Sequence, residues 1–309
     1  MLFYKFFFIV LLLVLNTFNS IGQVKSANTS SGKPMLYIQL EPYGEEMDRF
    51  IKSNNIQRVR FLNEGLFLND FYQVDRVMLK KQIATAFPEK YEKGVAYLDI
   101  ESPYFEKLRD LDLNHAEFKR ALKLYLDILN IAKNERPNVK WGYYGIPFTT
   151  YWERTPSFYD KNFKISKLLT ACDIFFPSLY TFYENNEVPK DENKRYAIEN
   201  TTESIKLGIS FKKPVIPFIW HRYHPSNPRV GLKVIPDAEW FENIENIASV
   251  QVNGKKVDGI LWWGADQFLF DTHSKAVHDE FKGTSKEFSI HSDRILSNKA
   301  NRLRRVLNK

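Results

Sequence analysis

The 309-residue chain is poor in cysteine, holding Cys172 alone. One cysteine forms no internal disulfide, so nothing covalent staples the fold and the core must hold itself together. The first predicted strand is followed by no glycine-rich phosphate loop, which disfavours a dinucleotide-binding sheet. No cluster of histidines converges on any acidic pair, so no metal site is expected, and no cofactor. Residues 34–281 contain no sharp linker and no internal repeat. The charge is also less one-sided than its sum of +7 suggests. Residues 282–309 hold eight Lys or Arg against Glu287 and Asp293, and with Lys5 they account for the whole excess. The rest is near neutral, so composition supplies no basic groove for nucleic acid. The tail, a solvated terminus or short helix, is the one segment suited to an anionic polymer or membrane surface.

Two features stand out at the N-terminus. Lys5 precedes an unbroken apolar run, Phe6 to Leu15, and Ser20-Ile-Gly22 places small residues before a cut at Gln23. That reads as a signal peptide over 1–22, too short for a membrane span, followed by a flexible leader over 23–33. The expectation is a secreted or periplasmic protein with no span after signal removal. Oligomeric state is not encoded in any pattern found. Aromatic residues make up 15% of the chain, enough both to fill a core and to line a sugar-binding cleft.

Short apolar runs alternate with helical patterns. Strands are predicted over 35–40, 58–62, 94–101, 141–147, 173–180, 214–220 and 259–265. Their continuous hydrophobicity suits a parallel sheet buried on both faces. Helices are predicted over 45–53, 73–86, 115–136, 160–169, 194–207, 237–248 and 271–281. The alternation predicts a single α/β domain over 34–281, a TIM-like barrel or a doubly wound sheet. In such barrels the chemistry collects at the C-terminal strand ends.

The polar residues at those ends are few. Val95-Ala-Tyr-Leu-Asp-Ile-Glu101 closes on two acids that share one face, with Ile100 turned away. Close carboxylates do not both ionise easily, so one retains a proton, and a protonated acid beside a leaving oxygen serves glycosidic cleavage. Two acids on one strand do not flank a scissile bond from opposite faces. Their spacing fits substrate-assisted hydrolysis, with Glu101 as acid/base and Asp99 positioning the substrate acetamido group. The alternatives are an ordinary acidic loop or an ion pair with a partner such as Arg58 or Arg222.

Tyr143 and Tyr144, Ser178 and Tyr180, Trp220, His221, Arg222, Tyr223, Trp262, Trp263 and Asp266 occupy other strand ends. The tyrosines are hydrogen-bond candidates for an acetamido oxygen, or else core. Trp262 and Trp263 face opposite ways, so one of them is core. His221 and His224 offer substrate contacts and lack a third ligand for a metal.

Five segments taken in order resemble the hyaluronidase family of glycoside hydrolases: Gly94-Val-Ala-Tyr-Leu-Asp-Ile-Glu101, Trp141-Gly-Tyr-Tyr-Gly-Ile-Pro147, Phe176-Pro-Ser-Leu-Tyr180, Val215-Ile-Pro-Phe218 and Gly259-Ile-Leu-Trp262. The resemblance spans about residues 34–275 and implies a distorted seven-stranded barrel. It implies Glu101 as proton donor and Asp99 as the acetamido-positioning group. Tyr144 and Tyr180 become its hydrogen-bond partners, Trp262 a wall of that pocket, and Tyr223 a weaker match. The implied substrate is a glycosaminoglycan such as hyaluronan or chondroitin, or another N-acetylhexosamine polymer, cut internally. The chain departs from the family in Ile100 between the acids, in Ser102-Pro103 after them, in Phe148-Thr-Thr-Tyr-Trp152, and in lacking the family disulfides. These departures keep two other readings open: a sugar-binding barrel that no longer cleaves, and a two-carboxylate glycosidase acting on another polysaccharide.

Overall fold

The computed structural model describes residues 33–69 and 71–308. The expected signal peptide and, apart from Lys33, the leader lie outside them. Among the described residues there are seven short strands: β1 (Met35–Gln39), β2 (Gln57–Arg58), β3 (Arg60–Asn63), β4 (Gly94–Asp99), β5 (Val139–Tyr143), β6 (Phe218–Trp220) and β7 (Gly259–Trp263). They form two parallel sheets, β2-β1-β7-β6 and β3-β4-β5.

The sheets join into a ring at both margins. β2 and β3 are one run broken at Val59, whose N–H still donates to Ile38 O at 3.1 Å. On the far side residues 173–180 stitch β5 to β6 through isolated bridges rather than a ladder. Asp173 N–H donates to Trp141 O at 2.7 Å, Ile216 N–H to Phe175 O at 2.9 Å, and Leu179 N–H to Phe218 O at 3.0 Å. Gly142 permits this closure: a Cβ there would lie 2.4 Å from Ile174 O. The result is the expected β/α barrel, irregular where bridges replace a ladder.

Alternation along the strands sorts side chains into two layers. Leu36, Ile38, Leu98, Trp141, Ile260 and Trp262 face outward into a core shared with the helices. Tyr37, Val59, Tyr97, Phe176, Phe218 and Leu261 face inward and fill the barrel. Burial pushes the Tyr37 hydroxyl up to about 12, and the buried Cys172 thiol likewise to about 12, which leaves that cysteine inert.

Most helices fall where periodicity places them, among them Glu45–Ser53, Ala116–Glu135, Glu192–Phe211 and Asp237–Ser249. Two differ. Residues 160–169 do not form one helix; the segment breaks into Pro156–Tyr159, Lys161–Lys164 and Ser166–Ala171, with the buried Asn162 amide bonded to both Phe148 N–H and O. The helix expected over 271–281 is instead Asp266–Asp271 and Lys275–Glu280, separated where His273 takes a positive φ of 59°.

The basic segment 282–309, expected as a solvated terminus or short helix beyond 34–281, packs onto the barrel. Ser285–Leu307 is a 23-residue helix. It opens with a reciprocal Thr284–Glu287 capping box and buries Phe288, Leu296, Ala300, Leu303 and Leu307. It packs on Glu45–Ser53, Asp237–Ser249 and Asp266–Asp271. Asp293 accepts the N–H groups of Glu46 at 2.8 Å and Met47 at 3.0 Å, capping the first helix from 246 and 247 residues away. Gly44 leaves the room, since a Cβ there would collide with Asp293. Lys299 reaches Asp237 and covers the Trp240 ring, while Arg302 sits 4.0 Å from the Phe241 centroid. Much of the tail's positive charge is thus spent on packing within the fold. No described helix is long and apolar enough to cross a membrane.

Candidate active site

β4 delivers the two acids as its alternation requires. Asp99 is half-buried, Ile100 is buried outward, and Glu101 reaches solvent at the rim. The strand end is pinned from both sides. Ile100 O accepts the Tyr125 hydroxyl at 2.8 Å, tying it to the Ala116–Glu135 helix. Glu101 N–H donates to Glu64 Oε2 at 3.1 Å, tying it to the end of β3.

Inward-facing aromatic residues complete the ring of strand ends. The Tyr144 hydroxyl lies 3.3 Å from Ser178 Oγ, and its ring is 5.9 Å from Tyr180. Tyr180 in turn stands 5.7 Å from Trp220 and 6.0 Å from Trp263, which meet edge-on at 4.8 Å. Beneath them Tyr97 packs edge-on against Phe218 at 4.8 Å and stacks on Phe61 at 5.6 Å. That layer plugs the barrel, so the site is a cleft with a floor and not a channel.

The electrostatics favour a retained proton. Burial, then the nearby Glu101 and Glu64 carboxylates, push Asp99 well above the ordinary carboxylate range. Although Glu101 reaches solvent at the rim, the protein packed around its carboxyl partly desolvates it, and this, then Glu106, raises its proton affinity. The Glu101 charge acts on Asp99, and the shifts of both acids run toward a retained proton. Burial followed by the charge of Glu101 also pushes the Tyr144 hydroxyl up, and burial dominates the same shift at Tyr180. Both remain donors. The ion-pair alternative for the acids is not what the structure holds. Arg58 bridges Asp48, and Arg222 bridges Asp266 at 2.7 Å and Glu280 at 2.8 Å.

Two buried polar atoms in this layer have no partner among the described residues: Gln39 Oε1 and Trp220 Nε1. Gln39 and Trp220 are both register partners of Trp263, on β1 and β6. An acceptor and a donor thus flank an inward tryptophan, unpaired and ready for groups brought by a ligand.

Comparison with known proteins bears on the fold and its relatives. No protein-family model matches the chain. It is 24% identical to inactive hyaluronidase B of Vespula vulgaris over 77% of the chain and 67% of that relative. It is 23% identical to the salivary hyaluronidase of Lutzomyia longipalpis over 84% and 70%. The structure of bee venom hyaluronidase in complex with a hyaluronic acid tetramer superposes with a TM-score of 0.60 at 17% identity, covering 81% of this chain and 95% of that one. The chain is a divergent relative of the hyaluronidases.

In this hyaluronidase relative, several residues singled out from sequence lie elsewhere. Trp262, expected as a pocket wall, faces outward: it is buried at 5.1 Å from Trp240, and its indole N–H donates to His221 Nδ1 at 3.0 Å. The register places Trp263, not Trp262, beside Tyr180. Tyr143 is fully buried outward, its hydroxyl donating to Tyr125 O at 2.6 Å. Tyr223 is buried with its hydroxyl on Glu239 at 3.0 Å.

His221, Arg222 and Asp266 form a buried internal network on Asp266 Oδ1, while Asp266 Oδ2 has no hydrogen-bond partner among the described residues. Because Nδ1 of His221 accepts from Trp262, Nε2 carries the proton and donates to Asp266 at 3.1 Å. Burial lowers the His221 pKa, keeping the ring neutral, and against the cost of burial His221 and Arg222 hold Asp266 well below the ordinary range. These three, expected as substrate contacts, bind one another. Burial likewise lowers His224, to about 4, beside Phe182 and Tyr180. Of the sequence-selected residues the structure brings together Asp99, Glu101, Tyr144, Tyr180 and Trp220.

Gln39 and Glu64 are absent from the residues selected from sequence, whereas Ser178 and Trp263 stand among the strand-end candidates without an assigned role. Gln39 could have been read as the lone polar residue two positions after inward Tyr37. Glu64 follows β3 by a turn that no pattern announces. Among the described residues no group of three or more His, Cys, Asp or Glu is arranged to hold a metal ion.

Proposed function

We propose that the protein is an exported glycoside hydrolase that cleaves a polysaccharide containing N-acetylhexosamine, with retention and with the substrate acetamido group as nucleophile. The observation that carries this reading is the same-face pair Asp99 and Glu101, with raised proton affinity, opposite a neutral wall of Tyr144, Tyr180 and Trp263. The hyaluronidase relatives and the complex with a hyaluronic acid tetramer support a polysaccharide substrate. In the free protein the pair holds one proton. An acetamido N–H donated to Asp99 stabilises its ionised form and leaves the proton on Glu101.

Glu101 then gives that proton to the glycosidic oxygen as the C1–O bond breaks, its electron pair going to the leaving sugar. The acetamido oxygen bonds to C1, and positive charge on the resulting ring is held by Asp99. In the second step Glu101, now a carboxylate, takes a proton from water, the water oxygen bonds to C1, and the acetamido group is released. Tyr144 and Tyr180, kept protonated, donate to the acetamido oxygen.

Glu101→Gln is expected to lower kcat about a thousandfold, in line with removal of a general acid/base, with glycan binding retained. Full activity of that variant on a glycan the wild type cuts would overturn the assignment. The name inactive hyaluronidase B, carried by one relative, favours a second reading, a barrel that binds glycans without cutting them. Tight binding with no new reducing ends in long digests over a range of pH would select it.

A further inference from the structure

We propose that a ribbon of aromatic side chains running outward from the cleft to Trp152 is a second sugar-binding subsite, which holds distal pyranose rings of the same polymer. The inference rests on the polysaccharide reading above and extends it to a part of the polymer that the acids do not touch.

The ribbon starts at the cleft wall. The Tyr180 ring lies 6.2 Å from His224, His224 lies 4.7 Å from Phe182, Phe182 lies 6.4 Å from Tyr183, and Tyr183 stands 5.4 Å from Trp152. The loops that supply these rings all leave C-terminal strand ends, the end that carries Asp99 and Glu101. Trp152 follows β5, Phe182 and Tyr183 follow the bridging segment 173–180, and His224 follows β6. Exposure rises along the way. Tyr180 is buried, His224, Phe182 and Tyr183 are half-buried, and Trp152 is 57% exposed. Singly exposed apolar residues are ordinary, whereas a contiguous run that begins in a cleft marks a binding surface.

Trp152 is held in place before any ligand arrives. Its indole N–H donates to the Tyr183 hydroxyl at 3.2 Å, and its ring meets the buried Tyr151 edge-on at 4.7 Å. The loop beneath is fastened to its surroundings. Thr149 Oγ1 donates to Ser178 O at 2.8 Å, Thr150 N–H to Asn200 Oδ1 at 3.0 Å, and the Tyr151 hydroxyl to Asn193 Oδ1 at 2.6 Å. Asn200 returns a bond to Thr150 O at 2.9 Å. A platform ordered in advance loses little entropy when a ligand settles on it.

A pyranose ring pairs an apolar C–H face with an edge of hydroxyls. Aromatic faces cover the first, and short polar side chains meet the second. The ribbon has both. Asn193 donates to Tyr183 O at 2.9 Å and to Asn185 Oδ1 at 2.8 Å, and Ser226 Oγ lies 2.7 Å from His224 Nδ1. Burial keeps the His224 ring neutral, so no imidazolium interrupts the aromatic surface. A polymer seated against Tyr180 carries its next rings past His224 and Phe182 toward Trp152. Continuity with the cleft thus supplies the occupant.

The test compares Trp152→Ala and Trp152→Phe with the parent chain on oligosaccharides from tetrasaccharide to dodecasaccharide, one series of hyaluronan and one of β1,4-linked N-acetylglucosamine. Affinities are measured by calorimetry in a Glu101→Gln background, so that nothing is cut, and initial rates of reducing-end release are measured without it. Length dependence is read from binding, so it is judged separately from cleavage. Trp152→Ala should weaken the longest oligomers about tenfold, through loss of one aromatic face and the apolar area it covers, and the shortest by less than about twofold. Trp152→Phe, with a smaller face, should recover part of that loss. On long substrates the rate effect should fall on KM with kcat held, as for a contact made equally in ground and transition states. An unchanged affinity at every length, or an equal loss at every length, overturns the inference and leaves the hydrolase reading intact. So does dissociation of a parent oligomer by Trp152→Ala with sugar affinities unchanged, which would assign the platform to a second copy of the chain. No binding of either series by the parent chain overturns the polysaccharide reading, and the inference with it.

Discussion

Trp262 and Trp263 are adjacent, chemically identical, and predicted to fail in opposite ways. Trp262 is wholly buried, contacts Trp240, and donates to His221 Nδ1 at 3.0 Å. Trp262→Phe keeps most of the apolar contact but leaves that buried nitrogen without its donor. An unsatisfied buried group costs about 1–3 kcal/mol. At about 2–4 °C per kcal/mol for a domain approaching this size, Tm should fall by about 5 °C. Activity at 25 °C should stay within about twofold of wild type, because nothing at the cleft moves.

Trp263 is only partly buried and packs on Trp220 and Tyr180. Trp263→Ala removes an aromatic face worth about 0.5–1.5 kcal/mol to a stacked ring, plus about 0.8 kcal/mol for each apolar group of the substrate it covers. Two kcal/mol in the transition state corresponds to about thirtyfold in kcat/KM. Reducing-end assays and thermal melts on both variants decide the matter. A large activity loss in Trp262→Phe with none in Trp263→Ala would refute the orientation of β7 and the site built on it.

Other consequences follow from named contacts. Asp99 has a raised proton affinity in the folded state, so between the ordinary carboxylate pKa and its own the folded protein holds more protons than the unfolded chain. Stability therefore falls as pH rises through that window. Asp99→Asn, which does not ionise, should lose activity yet gain Tm over wild type at neutral pH, with the gain vanishing in acid; a gain that persists unchanged at acid pH would contradict the shift. Gln39→Leu removes a buried acceptor without a partner. It should raise stability by about 1 kcal/mol while increasing KM, and an unchanged KM would show that Gln39 does not meet substrate. Asp293→Ala strips the cap from two N–H groups of the Glu45–Ser53 helix and should cost about 1–2 kcal/mol. Differential melting of Asp293→Ala and Asp293→Asn separates the cap from simple loss of charge.

The sequence by itself determined the α/β class, because runs apolar on both faces alternating with amphipathic helices pack as a barrel or a doubly wound sheet. It also determined that Asp99 and Glu101 share a face, since strand period is a local property, and Ile100 accordingly points into the outer core. The helix at 285–307 was legible too: Leu296, Ala300, Leu303 and Leu307 recur at three and four, but the surrounding arginines and lysines masked the stripe.

Only the tertiary structure decided which tryptophan enters the cleft. Period two says that Trp262 and Trp263 diverge without saying which way the strand is turned, and that is set by pairing with β1 and β6. Glu64 and Gln39 join the acids by ring closure across the chain, which no local pattern encodes. The same holds for His221, Arg222 and Asp266, polar residues at strand ends that bond to one another behind the barrel wall. Residue type and position nominate such groups, and only the partner each one finds shows whether it is left over for a substrate.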